Sequence, residues 1–246
     1  MKLTVLGSGT MTSPPKRTPA GYLLEHNDDY LLVDMGPGII RQLKCMEIDL
    51  LHIKYIAISH FHLDHCSDLM AFLMNRFLLQ ENANQDLTIF GPTGLEAWFS
   101  AQAQWQGAWL HNARPRLIAF DHQPVQLGSW QIIAALNGHT DNSMSFRIAN
   151  GATLFYSSDT GFQEELVPLA RDVDLAIIEC SLPDHLKIDG HLTPSDVARF
   201  SNLAKLQRVL ATHIYPQNDT PDLKQRIQRH FDGEVIIAND FLTLYL

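Results

Sequence analysis

The stretch His60-Phe61-His62-Leu63-Asp64-His65 sets four potential metal ligands within six consecutive residues. It follows the apolar run 54–59 (KYIAIS), which reads as a buried strand. Side chains alternate along a strand, so His60 and His62 at its end face one side and can reach the same ion. Asp64 and His65 come where the chain turns, within reach of a second ion beside the first. Imidazole and carboxylate without thiolate suit zinc, manganese or iron. A lone histidine in a polar loop is ordinarily a solvated side chain, but this density directly behind an apolar strand points to a metal site.

Three later segments place a ligand at the end of an apolar run. Asn137-Gly138-His139-Thr140 follows the run 130–136, Tyr156-Ser157-Ser158-Asp159-Thr160 closes 152–157, and Val209-Leu210-Ala211-Thr212-His213 ends in a histidine. In this order and with H-x-H-x-D-H, they resemble the metallo-β-lactamase superfamily, from Gly7-Ser8-Gly9-Thr10 to His213. The resemblance implies an α/β fold, a four-layered αββα sandwich with the site at one edge between two sheets. It also implies a ligand set. His60, His62 and His139 would hold one metal, Asp64, His65 and His213 the other, and Asp159 would lie between them. Two divalent cations about 3.5–4 Å apart repel, and a shared carboxylate offsets the repulsion. The expected cofactors are two divalent ions, zinc first, with manganese or iron as alternatives.

Ile178-Glu179-Cys180-Ser181, Gly190-His191-Leu192-Thr193-Pro194 and Thr212-His213-Ile214-Tyr215-Pro216 resemble the ribonuclease Z branch. On that resemblance His191 is not a ligand but contacts phosphate and protonates the leaving oxygen, and Glu179 orients it. With Asp64, also a ligand, these are the candidate catalytic residues. Leu192 departs from the small hydroxyl residue of that branch. The RNA-clamping arm of the bacterial enzymes belongs between His139 and Asp159. Here the interval 140–158 holds only two short strands and the turn Asn150-Gly151.

Composition narrows the classes further. The 246 residues are 46% hydrophobic, enough for a sizeable core and for one domain over 1–246. Lys plus Arg number 18 against 27 Asp plus Glu, a formal charge of −9. No basic run stands out, so an extended nucleic-acid footprint is not expected. Cys45, Cys66 and Cys180 are widely spaced, as in a reduced cytoplasmic protein, and no apolar stretch is long enough to span a membrane.

Strands are expected at 2–6, 20–26, 29–34, 54–59, 87–90, 116–120, 130–136, 144–149, 152–157, 174–179, 207–211, 234–237 and 241–246. Helices are expected before Met46, from 65 to 80, from 93, and over 162–171, 194–204 and 221–230. Residues 11–19 read as an exposed loop. Trp98, Trp105 and Trp109 read as helix core or a subunit contact, and His26, His52, His111, His122, His185 and His230 as surface. The broadly apolar helix 65–80 suggests a homodimer.

The leading expectation is a binuclear metal-dependent phosphodiesterase, ribonuclease Z-like but arm-less, acting on a small phosphodiester or an RNA end. Carbonyl hydrolysis of a lactone, thioester or β-lactam on the same site is the alternative enzyme class. A non-catalytic metal-binding partner module is the third, weakened by the complete ligand set. An oxygen-reducing di-iron site is disfavoured, because position 62 is His where that branch resembles H-x-E-x-D.

Overall fold

The computed structural model describes residues 1–112 and 114–246. The side chains of His111 and Asn112 lie outside the described residues, and with them the expected position of His111. The amino-terminal half alternates β1 (Lys2–Gly7), β2 (Gly21–His26), β3 (Asp29–Val33), α1 (Ile39–Cys45), β4 (Tyr55–Ala57), α2 (Leu63–Cys66), α3 (Leu69–Leu79), β5 (Thr88–Gly91), α4 (Leu95–Ala103), α5 (Ala108–Asn112) and β6 (Arg116–Ala119). The second half holds β7 (Val125–Leu127), β8 (Trp130–Leu136), β9 (Met144–Asn150), β10 (Ala152–Tyr156), α6 (Val167–Ala170), β11 (Leu175–Glu179), α7 (Pro194–Ala204), β12 (Arg208–Thr212), α8 (Leu223–Gln228), β13 (Glu234–Ile237) and β14 (Thr243–Tyr245). One sheet runs β14-β1-β2-β3-β4-β5-β6 and the other β13-β12-β11-β10-β9-β8-β7.

Period-two alternation separates the layers. In β2, Tyr22 and Leu24 face the other sheet while Leu23 faces the helices of its own half. In β11, Leu175 and Ile177 face inward while Ala176 and Ile178 meet the helices of theirs. The result is αββα: an inter-sheet core around Trp130, Phe146 and Tyr156, flanked by one core per helical layer. The second helical layer owes part of its order to α7. Thr193 and Asp196 form a capping box there and Pro194 occupies the first turn, so the chain just after His191 has a defined start.

Strand direction gathers the site. Strands β3 and β4 run parallel, as do β10, β11 and β12. Strand β8 is antiparallel to β9, which is antiparallel to β10, so β8 shares their sense. The carboxyl ends of β4, β8, β10 and β12 therefore collect at one edge, and each is followed by ligand-type side chains.

Several expectations need correction. The helix expected over 65–80 breaks at Ser67-Asp68. There the chain bonds to another segment: Met35 N–H donates to the His65 carbonyl at 2.6 Å, and Asp68 accepts from the N–H groups of Gly38 and Ile40, each at 3.0 Å. The helix expected over 162–171 shrinks to a 3-10 turn and the single turn of α6. Strand β7 was not expected, being a three-residue edge strand with too little pattern to read. The loop 11–19 is anchored rather than free, with Arg17 only 4% exposed and ion-paired to Asp219 at 3.0 Å. Trp105 is 80% exposed, which removes the helix-core reading and leaves the subunit contact for that residue, whereas Trp98 stacks on Phe61 with ring centroids 5.0 Å apart. Among the described residues no helix is long and apolar enough to cross a membrane.

Phe146 is fully buried between the sheets, with Phe90 and Tyr156 beside it. Phe146→Ala is expected to lower stability by about 3–5 kcal/mol through lost transfer energy and a cavity. Urea unfolding would measure it, and a cost below about 1 kcal/mol would contradict this packing.

Candidate metal centre

His60 follows β4 on a backbone tied down by Ile58, whose N–H donates to Phe90 at 2.9 Å, and Ser59, whose N–H donates to Asp34 at 2.7 Å. His62 is the N-cap of α2, and that short helix carries Asp64 and His65. His139 follows β8, Asp159 follows β10 and His213 follows β12. The structure brings all seven side chains together. Two groups form, His60, His62, His139 and Asp159, and Asp64, His65, Asp159 and His213, with the ligand atoms of each within 4.8 Å of one another.

Asp159 belongs to both groups and divides its oxygens between them. Its Oδ2 lies 3.9 Å from His60 Nε2 and 3.8 Å from His139 Nε2. Its Oδ1 lies 3.3 Å from both His65 Nε2 and His213 Nε2. His213 Nε2 is also 3.5 Å from Asp64 Oδ2, and His62 Nδ1 is 3.2 Å from His139 Nε2.

The outer nitrogens explain which atoms face the centre. His65 Nδ1 donates to Asp34 Oδ2 at 2.7 Å, and His139 Nδ1 donates to the Gly190 carbonyl at 2.9 Å. Ser59 gives its own proton to Asp34, so its Oγ accepts from His60 Nδ1 at 3.0 Å. Ser181 gives its proton to Glu179, so its Oγ accepts from His213 Nδ1 at 3.0 Å. A neutral imidazole that donates from Nδ1 presents a lone pair at Nε2. Four such lone pairs converge. The Nε2 atoms of His60, His65 and His213 and Oδ1 of Asp159 are buried without a hydrogen-bond partner among the described residues. Native proteins rarely leave buried acceptors in this state, and acceptors clustered with a carboxylate fit a cation.

The electrostatics agree. Burial, then the neighbouring His65, hold His60 well below the usual histidine range, which suits a neutral ligand. Burial opposes the charge of Asp159, but His213 and His65 outweigh it and keep the carboxyl well below its usual range. Burial also opposes charge on His65, yet Asp159 and Asp34 outweigh it and hold the ring well above its usual range. This position favours positive charge, carried by a proton or by a cation at Nε2.

Asp34 escaped the sequence reading, which placed it at the end of a hairpin strand. It is fully buried, accepts from Ser59 N–H, Ser59 Oγ, His65 Nδ1 and Tyr156 Oη, and has φ 58°. The available signal was a carboxylate closing an apolar strand ahead of Gly36-Pro37-Gly38. Ser158 and His213, each with φ 53°, share that left-handed backbone. Non-glycine residues held there cost roughly 1–3 kcal/mol each and concentrate at functional sites.

His191 stands beside the cluster, its ring stacked on His213 at 5.7 Å and 13°. Its Nδ1 donates to Glu179 at 3.1 Å. Glu179 is buried and also accepts from Thr160 N–H at 2.7 Å, from Leu192 N–H at 3.1 Å and from Ser181 Oγ. Burial of His191 opposes its charge, but Glu179 outweighs it and lifts the ring to about 9. Leu192, the departure noted in sequence, buries its side chain in the helical-layer core. Its backbone rather than its side chain serves Glu179. Tyr215 meets both rings edge-on, at 6.0 Å from His191 and 5.8 Å from His213. His52, His122, His185 and His230 are exposed as expected, and His26 is half-buried.

A model of the β-lactamase superfamily domain matches residues 29–214. The chain belongs to the metallo-β-lactamase superfamily. As a member it is a metallo-hydrolase of that fold. It is 30% identical over 244 residues to Rv1339 of Mycobacterium tuberculosis, covering 96% of this chain and 88% of the relative. It is 25% identical over 293 residues to a ribonuclease Z of Nocardia farcinica, covering 97% and 95%. That alignment is longer than this 246-residue chain, so the relative carries many positions with no counterpart here. The crystal structure of the metallo-β-lactamase fold protein YhfI from Bacillus subtilis shares the fold, with a TM-score of 0.86 at 24% identity over 99% of this chain and 98% of that one.

Asp34→Asn keeps the shape but replaces an acceptor by a donor opposite His65 Nδ1 and Tyr156 Oη. Metal affinity is expected to fall about 10–100-fold. Competition with a chelator would measure it, and unchanged affinity would reduce Asp34 to a packing role.

Proposed function

We propose that this metallo-hydrolase is a binuclear phosphodiesterase acting on small phosphodiesters or RNA ends. The observation that carries the reading is His191, held by Glu179 beside two ligand groups that share Asp159. His60, His62, His139 and Asp159 would hold one divalent ion, and Asp64, His65, His213 and Asp159 the other, with zinc the first candidate. Such ions lower the pKa of water toward ~7 and withdraw charge from phosphoryl oxygens.

The chain's own residues supply the rest. Asp159 and Asp64 bring negative charge that balances the cations, and the Nδ1 bonds keep the imidazoles from turning. Glu179 accepts the Nδ1–H hydrogen bond of His191, so the opposite nitrogen, Nε2, is the one free to face substrate. A ring whose pKa lies at about 9 carries its second proton at neutral pH and can give it to a departing alkoxide. In the net step water adds to phosphorus as hydroxyl, the P–O bond to the alcohol breaks, that alcohol's oxygen takes the proton of His191, and the proton left from the water restores His191. A thioester would need such a donor less, since a thiolate leaves more readily than an alkoxide.

The substrate scale follows from the interval 140–158. It is occupied by β9, β10 and their turn, leaving no segment that could clamp a folded RNA. With a formal charge of −9, this favours compact diesters over transfer RNA. The three cysteines are free thiols, in keeping with a cytoplasmic setting. Leu78 and Leu79 at the end of α3 are exposed and support a homodimer through that helix. Light scattering would report it, and a monomer at micromolar concentration would end that part.

Metal analysis is expected to find two ions per chain, and chelation to abolish turnover of a model diester such as bis(p-nitrophenyl) phosphate. His191→Ala should retain the metals while kcat drops about 10²–10⁴-fold. Full turnover in that variant, or activity confined to a thioester, would favour the carbonyl alternative instead.

The pH profile tests the pairing. Activity needs His191 protonated, so it should persist through neutrality and fall as pH rises past about 9. Glu179→Gln removes the charge that raises the ring and should move this alkaline limb to lower pH. An unmoved limb would detach Glu179 from the acid role.

A further inference from the structure

Beside His191 a cleft of about 380 Å³ opens between the segment 161–163 and the loop 187–190. This is within the usual size of small-molecule sites. Its floor is backbone: Gly138, Gly161 and Gly190 all line it. Two of these glycines have structural reasons. Gly138 and Gly190 have φ of 74° and 81°, and a Cβ on Gly190 would come within 3.1 Å of His139 Nδ1. Gly161 has neither constraint: its backbone is not left-handed, and an added Cβ would meet nothing closer than Gly190 N at 3.5 Å. The fold does not demand glycine there, and its effect is to keep the floor flat and open for close approach.

The walls are chemically distinct. Phe162 is half-buried on one side, its ring covered on one face by Arg199 with the guanidinium carbon 4.1 Å from the centroid. Ile188 stands on the other side at 50% exposure, an apolar side chain facing solvent for no packing reason. Between them Gln163 reaches across Gly138, whose added Cβ would fall 3.0 Å from its Nε2. The Gln163 amide has no hydrogen-bond partner among the described residues, leaving a donor and an acceptor for a ligand.

The cleft offers no spare positive charge. Of the cations that line it, Lys187 is paired with Asp196 at 2.7 Å and His191 with Glu179 at 3.1 Å. Asp189 adds a carboxylate to the lining. A second phosphate placed here would meet paired cations and an unpaired anion.

We infer that this cleft is the leaving-group subsite and takes an uncharged, flat, ring-bearing alcohol of nucleoside size. The inference rests on the phosphodiesterase reading, because the alcohol released next to His191 is the one it protonates. The apolar walls cover the two faces of the ring, Gln163 pairs with its polar edge, and Asp189, the unpaired charge of the lining, disfavours a group that carries further phosphates. The site thus selects a diester ending in a neutral nucleoside-like group over one continuing into a polynucleotide.

The test uses the intact metal-loaded protein and a dinucleoside monophosphate with adenine on both sides, alongside the same compound bearing a phosphate on each terminal hydroxyl. Gln163→Ala and Ile188→Ala touch no ligand, and Ile188 is exposed enough to be replaced without loss of folding. Each is expected to raise KM for the dinucleoside monophosphate about tenfold, with kcat and metal content unchanged, the pattern of lost uniform binding. The terminally phosphorylated compound should show a KM at least tenfold higher with the unaltered protein. KM within twofold of the unaltered protein in both variants, or equal KM for the two compounds, would overturn the subsite while leaving the phosphodiesterase reading intact. No turnover of any phosphodiester by the unaltered protein would remove both.

Discussion

The organising constraint is the set of outward hydrogen bonds from the Nδ1 atoms of the site histidines. Asp34, Ser59, Ser181 and the Gly190 carbonyl each accept one such hydrogen bond. Each bond decides the tautomer of its ring and aims the other nitrogen inward. The interior then holds several lone pairs and the Asp159 carboxylate with too few protein donors to satisfy them. Burying acceptors this way is unfavourable in an apoprotein and favourable around a cation. The stability of the rest of the fold has to tolerate that frustration.

The two-sheet sandwich supplies the rigidity. Asp34 directly follows β3 in the first sheet, and Tyr156, which donates to it, ends β10 in the second. Tyr22 of β2 likewise meets Thr212 of β12 at 2.6 Å. Hydrogen bonds thus cross the inter-sheet core directly beneath the site, so the relative position of the two sheets and that of the ligands are set by the same contacts. The left-handed backbone at Asp34, Ser158 and His213 is the local cost of turning the chain sharply off a strand while keeping a side chain aimed at the centre.

Glu179 extends the same logic to His191. It lies one strand from Asp159, accepts from the backbone of Thr160 and Leu192, and shares Ser181 with His213. The positions of His213 and His191 are therefore coupled through one hydroxyl. The cleft lined by Gly161, Phe162 and Gln163 follows directly from the segment that carries Asp159, which ties the leaving-group region to the ligand groups by chain continuity.

The side chains that cluster, and their order, were legible from the residues alone, because they sit at or just past the ends of apolar runs and both features are local. The αββα class was legible through the same strands and the family resemblance. Helix breaks such as Ser67-Asp68 were not, since the competing partners, Met35 and Gly38, come from a distant segment. Asp34 was hidden because a buried carboxylate and an exposed strand-end carboxylate look identical in sequence. The division of Asp159 between two groups, the choice of ring nitrogen, the pairing of His191 with Glu179 and the open floor at Gly161 were decided by tertiary structure. Each depends on distances between strand ends in different sheets, and residue order carries no information about those distances until both sheets have packed.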